Sequence, residues 1–326
     1  MEFRTAIKIN NATEQIQHSH RIMLIGSCFS DNIGSKLQNA LMNVDINPFG
    51  TVYNPVSIYN EISNIVSGKE ITDNELFFAN GMWNHFGFHS HFSKAEQTDA
   101  LTTMNNRLSN AHDNLKHCDW IIITLGTAMI YEHKTSNKIV SNCHKLPAAE
   151  FSRRILKIEE VKHYLESILS IIHDYNNHTK IIFTVSPIRH VSDGLELNQL
   201  SKSTLRVAIG NIVEAHSNFC HYFPAYEIMM DDLRDYRFYA SDMVHPSDIA
   251  IEYIWNVFKA TFFNDKTAQA TSRCERMSKR LAHRPMTDNQ VALNRFRNET
   301  QEVLFNLVKE YPYLKDLTQL QKYFLS

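Results

Sequence analysis

The sequence predicts an α/β protein. A three-layer domain built on a parallel sheet covers about residues 1–263, and a helical C-terminal extension occupies residues 264–326. Three observations carry this expectation. Short apolar runs alternate with longer segments whose apolar residues recur every three to four positions, as strands joined by crossover helices do. The runs are apolar almost throughout, which suits strands covered on both faces. Past Asn264 the helical period continues and the strand pattern stops.

Taken in order, the strands are expected at residues 21–25, 120–125, 180–185 and 219–223, with a further short one at 44–46. Each is rich in β-branched and other apolar residues. Leu101, Met104, Leu108, Ala111 and Leu115 form one helical stripe, and Val161, Leu165, Ile168 and Ile172 a second. Leu205, Ala208, Ile212 and Val213 form a third; Ala250, Ile254, Val257 and Phe258 form a fourth. The aromatic- and histidine-rich stretch between Tyr53 and Thr98 reads as a hairpin or lid. In the extension, Val303, Leu304, Leu307 and Val308 mark a helix packed on the main domain.

Hydrophobic residues make up 43% and charged residues 21%, the balance of a soluble globular chain. A formal net charge of −2 supplies no footprint for nucleic acid or an anionic membrane surface. No apolar run approaches a membrane span, and the first residues lack the layout of a secretory signal, so cytoplasmic residence is expected. Five cysteines without paired spacing argue against a disulfide framework and a zinc ribbon. No cofactor is expected.

The chemistry begins where the first strand ends. Ser27 and Cys28 follow Gly26 on a strand-to-helix turn, and ligands of open parallel sheets bind at such turns. The unbonded N–H groups of the following helix favour negative charge there. A serine still needs a base, and Asp242 and His245, three residues apart before the last helix of the domain, supply one. Pro246 biases His245 away from helical dihedrals, so that the ring can project over the sheet edge. Ser27 is the expected nucleophile. Cys28 competes, because a thiol at a helix N-terminus can have a lowered pKa. It ranks second here because its side chain is expected to pack inward.

Gly26-Ser27-Cys28-Phe29-Ser30 resembles the signature of the GSCFA family, a branch of the SGNH (GDSL-type) hydrolases. Asn47-Pro48-Phe49-Gly50, Tyr53-Asn54-Pro55, Leu125-Gly126-Thr127-Ala128, Asn142-Cys143-His144-Lys145, Ser186-Pro187-Ile188-Arg189-His190 and the 233–239 segment are similar to that family in the same order, over about residues 1–285. The resemblance implies a flavodoxin-like α/β/α fold and a Ser/His/Asp hydrolase cleaving esters, often acyl groups on sugars or lipids. It implies Ser27 as nucleophile, with Asp242 and His245 as its partners. The oxyanion hole would be formed by the backbone N–H groups of Ser27 and Gly50. The third donor of the superfamily, an asparagine after the block III glycine, is missing at Gly126-Thr127-Ala128. Asn142 or Thr127 would have to substitute.

Arg189 and His190 follow the strand at 180–185 and should reach the same rim, to bind a polar or anionic substrate group or, for Arg189, to tie loops to Asp193 or Glu196. Ion pairing within Arg234-Asp235-Tyr236-Arg237 would brace the catalytic loop. Trp83 and His89 suit either a wall for a sugar ring or the apolar face of a hairpin. His85, His89 and His91 share the parity of one strand face and raise a metal site, but no cysteine or carboxylate completes the set, and no metal is expected. The basic cluster Arg273, Arg276, Lys279, Arg280 and Arg284 reads as a solvated helix face. The expected activity is hydrolysis of a small-molecule or glycan ester. The alternatives are acyl transfer at the same site and a catalytically weak SGNH-like ligand-binding protein.

Overall fold

The computed structural model describes residues 5–9, 12–283, 286 and 288–321. Arg284 therefore lies outside the described residues, as does the end of the extension from residue 322. Five parallel strands form the central sheet: β1 (Arg21–Gly26), β2 (Asn43–Ile46), β5 (Trp120–Leu125), β9 (Lys180–Val185) and β10 (Cys220–Phe223). Their spatial order is β10-β9-β5-β1-β2. This is the doubly wound, flavodoxin-like arrangement, whose order reverses between β1 and β5.

Alternation along the strands decides which residues meet which helices, because successive side chains leave opposite faces. Ile22, Leu24, Trp120 and Ile122 enter one apolar core. On that face lie α1 (Cys28–Asn39), α7 (Asp248–Phe262) and a short helix α6 (Ala225–Glu227) that runs into a π-helical turn over Ile228–Asp232. Met23, Ile25, Ile121 and Ile123 enter the other core. There they meet α2 (Pro55–Ser67), α3 (Gln97–Lys116), α4 (Ile158–Tyr175) and α5 (Leu195–Ala215).

Two additions interrupt the alternation. The expected hairpin forms from β3 (Phe77–Ala79) and β4 (Met82–Asn84), joined by Asn80-Gly81. An antiparallel sheet of β6 (Met129–His133), β7 (Lys138–Val140) and β8 (Phe151–Ile155), in the order β7-β6-β8, lies between β5 and α4. It was not foreseen, nor was α2. The signal for α2 was present, however: Asn54 caps its N-terminus, and Pro55 occupies the first turn, where a missing N–H is harmless.

The C-terminal segment carries α8 (Asp265–Ala282), α9 (Gln290–Glu310) and α10 (Thr318–Gln321). Their apolar residues, Leu304 and Leu307 among them, close a third core to which the main sheet domain contributes Leu41. Polar ties reach back as well, from Thr267 to the Ile16 carbonyl (2.9 Å) and between Tyr313 and His18 (3.0 Å). Among the described residues no helix is long and apolar enough to cross a membrane.

Candidate active site

At the end of β1 the chain makes a turn that only glycine permits. Gly26 has φ +146°, and a Cβ there would lie 2.2 Å from the Thr124 carbonyl oxygen of the neighbouring strand. Ser27 follows as the N-cap of α1. Its Oγ accepts the Phe29 N–H (3.3 Å), and its own N–H donates to the Thr124 carbonyl (3.1 Å). Ser27 is 1% exposed. Cys28, the first residue of α1, is half-buried and lines a pocket at the carboxyl ends of β1, β5 and β9. Cys28 packs in part against the core beneath α1, and its Sγ lies 3.7 Å from the Tyr53 hydroxyl, which also lies 3.2 Å from Thr51 Oγ1.

Asp242 and His245 occupy a tight loop leading into α7. Met243 takes a left-handed conformation (φ +58°), and the Ala240 N–H donates to the His245 carbonyl (2.7 Å). This folding back brings the Asp242 Oδ2 to 2.6 Å from His245 Nδ1, while Oδ1 accepts the N–H groups of Val244 (2.9 Å) and His245 (3.0 Å). The backbone hydrogen bond from His245, then that from Val244, then the imidazole itself hold the Asp242 carboxyl down to about 2. The carboxylate thus fixes the ring through Nδ1 and leaves Nε2 as the nitrogen available for proton transfer. The His245 side chain is 47% exposed, and no hydrogen bond joins it to Ser27.

Ser27, Cys28, Asn142, Arg189, His190 and His245 all line the pocket, although they come from widely separated segments. Gly50, Trp83 and His89 stand outside that lining. The Gly50 N–H donates to the Asn47 carbonyl (2.8 Å). Gly50 takes φ +90° and lies so close under His89 that a Cβ would come within 2.2 Å of the His89 Cβ. Both backbone donors expected for an oxyanion, at Ser27 and Gly50, are therefore already bonded within the fold. Trp83 packs against Phe78 on the hairpin, with ring centroids 5.4 Å apart.

The three histidines do not share a strand face. β4 ends at Asn84, and beyond it His89 caps a short 3-10 helix (Ser90–Phe92) that holds His91, Nδ1 to Nδ1 3.0 Å apart. Burial pushes His85 down to about 4. Among the described residues no group of three or more His, Cys, Asp or Glu could hold a metal ion.

Asn142 uses its Oδ1 to accept the His144 N–H (2.8 Å), which leaves its side-chain NH2 for another partner. Thr127 is occupied: its Oγ1 lies 2.9 Å from Ser201 Oγ and accepts the Met129 N–H. Arg189 ties loops together, but not through Asp193 or Glu196. Its guanidinium donates to the Met243 carbonyl and lies 4.3 Å from the Tyr239 ring centroid and 5.3 Å from that of Tyr236. Asp193 pairs with Arg153 instead. Arg234 pairs with Asp231 (2.6 Å), and Arg237 with Asp235 (3.8 Å).

The His190 ring meets Tyr53 edge-on at 5.8 Å, and burial keeps it down at about 4, hence neutral near pH 7. Its Nε2 is buried without a hydrogen-bond partner. Tyr53 and Cys143, also in the lining, were not singled out as site residues. For Tyr53 the clue was its position immediately before the Asn54 cap of α2.

Fold and site together define an α/β protein with a histidine–carboxylate pair above the turn that follows its first strand. The chain belongs to the GSCFA family, whose model matches residues 21–258. A search of curated proteins finds no match. Among solved structures, the chain is similar to a carbohydrate esterase family 2 enzyme from Corynascus thermopiles (Myceliophthora fergusii) at 12% identity and a TM-score of 0.40, over 79% of this chain and 68% of that one. It is also similar to an acetyl xylan esterase from the rumen bacterium Butyrivibrio proteoclasticus at 10% identity and a TM-score of 0.39, over 76% of this chain and 66% of that one.

Proposed function

We propose that the protein hydrolyses a carboxylic ester, with a small or carbohydrate alcohol as leaving group, by acyl transfer to a side chain on the turn between β1 and α1. The observation that carries this reading is the 2.6 Å contact from Asp242 to His245 Nδ1 in the pocket that the turn also lines. His245 Nε2 takes the proton of the attacking group, then returns it to the leaving alkoxide; Asp242 orients the ring and stabilises the imidazolium. Water attacks the acyl-enzyme by the same route in reverse. With the Ser27 and Gly50 N–H groups engaged elsewhere, the oxyanion is left to the unpartnered His190 Nε2, carrying the ring proton, and to the Asn142 amide. Ser141, Asn142 and Ser192 give the pocket hydrogen-bonding partners for a hydroxylated substrate. Cytoplasmic residence belongs to the same reading and is supported by the five cysteines, all free.

The test is release of p-nitrophenol from p-nitrophenyl acetate by the purified protein. His245→Ala should lower kcat/KM by about 10³-fold or more, with an unchanged far-ultraviolet circular dichroism spectrum. Turnover that persists in His245→Ala would exclude the reading.

A further inference from the structure

Resting on this ester-hydrolase reading, we propose that a second pocket beside the first binds further sugar units of a neutral oligosaccharide. The substrate is then a short glycan chain that carries its ester in the first pocket. The second pocket encloses about 430 Å³, close to the roughly 440 Å³ of the first, and Ser141 lines both. It forms where the two additions to the doubly wound sheet meet. The N–H groups of Ser141 and Asn142, just past β7, donate to the carbonyl of Phe86, just past the β3–β4 hairpin (2.9 and 3.2 Å). The helix α2 closes another side with Asn60, Ser63 and Asn64.

One strand runs from the first pocket to the second. Ile130 is buried in the core, so Met129, Tyr131 and His133 leave the opposite face of β6. Met129 and Tyr131 line the first pocket, and His133 lines the second. At roughly 3.4 Å per residue, the step from Tyr131 to His133 is about 7 Å. A linear chain laid along β6 therefore reaches both.

The lining suits sugars. Asn60, Ser63 and Asn64 share one face of α2, and among the described residues none of their side chains hydrogen-bonds to the protein. Amide and hydroxyl groups both donate and accept, as sugar hydroxyls do. His85 Nδ1 accepts the Gly87 N–H (3.0 Å), which puts the ring proton on Nε2. Burial keeps that ring neutral near pH 7, with its pKa at about 4, so it offers an uncharged N–H donor. Phe77 and Phe86, with ring centroids 4.2 Å apart, add apolar ring surface for the C–H face of a pyranose. Glu75 and Lys138 bring one charge of each sign, so the lining favours neither an anion nor a cation. Contacts made far from the reacting carbonyl hold the ester in place for attack, so a longer chain should raise kcat/KM as well as affinity.

The test uses the full chain and two sets of probes. Unmodified β-1,4-linked oligomers of glucose, xylose and N-acetylglucosamine, and α-1,4-linked oligomers of glucose, from monomer to pentamer, are titrated by calorimetry. Their O-acetylated forms are assayed for acetate release. In at least one series the tetramer should bind about tenfold or more tighter than the monomer, and its acetyl ester should show a kcat/KM about tenfold or more higher. Ser63→Trp, which fills the pocket, should bring both ratios to about one, and the milder Asn64→Ala should lower them by about threefold or more, each with a native circular dichroism spectrum. Binding that does not tighten with length in any series would overturn the second site; if p-nitrophenyl acetate is still hydrolysed, the esterase reading stands. Length dependence that Asn64→Ala and a folded Ser63→Trp leave intact would overturn it too. Length-dependent binding that the variants abolish, without acetate release from any ester, would sustain the second site and defeat the esterase reading. Tighter binding of tetragalacturonate than of every neutral tetramer would overturn the neutral class.

Discussion

Glu61 is a carboxyl buried on α2 beneath the loop that carries Gly50. Its Oε1 accepts the Phe49 N–H at 3.0 Å, and Oε2 has no hydrogen-bond partner. Burial raises its pKa from 4.5 to about 8, against smaller opposing effects of the Phe49 hydrogen bond and the Arg107 charge. Between those values the unfolded chain has lost the proton while the folded protein keeps it. The folded state then binds more protons, so stability falls as pH rises through that window. Glu61→Gln, which cannot ionise, should remove a decline on the order of 3 kcal/mol between about pH 5 and 8, read as a flatter pH dependence of the urea midpoint. An unchanged slope would show that Glu61 ionises normally in the fold. At the same scale, Ser27→Ala should lower stability by about 1 kcal/mol through loss of the α1 cap, measured by urea denaturation.

At the scale of elements, the strands at residues 120–125 and 180–185 were legible to the residue, because a fully buried parallel strand is an unbroken apolar run. The four amphipathic stripes appear as α3, α4, α5 and α7. The antiparallel sheet of β6, β7 and β8 was not legible. Its strands are three to five residues long and mix charged with apolar side chains, as in Phe151–Ile155, so neither period emerges. The turn between β1 and α1 shows how closely the elements are fitted. Gly26→Ala would drive a methyl group into the Thr124 carbonyl, and the separation of β1 and β5 cannot grow without breaking their ladder. We expect a loss of about 3 kcal/mol or more, seen as a sharply lowered urea midpoint or insoluble expression.

For the whole molecule, the doubly wound order places the gap between β1 and β5 at the mouth of the pocket and brings residues 27, 142, 190 and 245 to one rim. The C-terminal helices share a core with Leu41 and are tied to residues 16 and 18. Leu304 is buried in that core, and Leu304→Ala should cost about 2–5 kcal/mol. A single unfolding transition, followed by both tryptophan fluorescence and far-ultraviolet circular dichroism, should shift as a whole. A separate early transition would make the extension an independent unit.

The sequence by itself determined the class of fold, the principal strands and the Asp242–His245 pair, because each is encoded locally, by hydrophobic period or by spacing within one turn. It could not determine which atoms of those turns face outward. How the turn seats the Ser27 N–H depends on the Thr124 carbonyl nearly a hundred residues away, and the Gly50 N–H is taken by the Asn47 carbonyl. Those contacts exist only once the sheet and its loops have packed, so they belong to the tertiary structure alone.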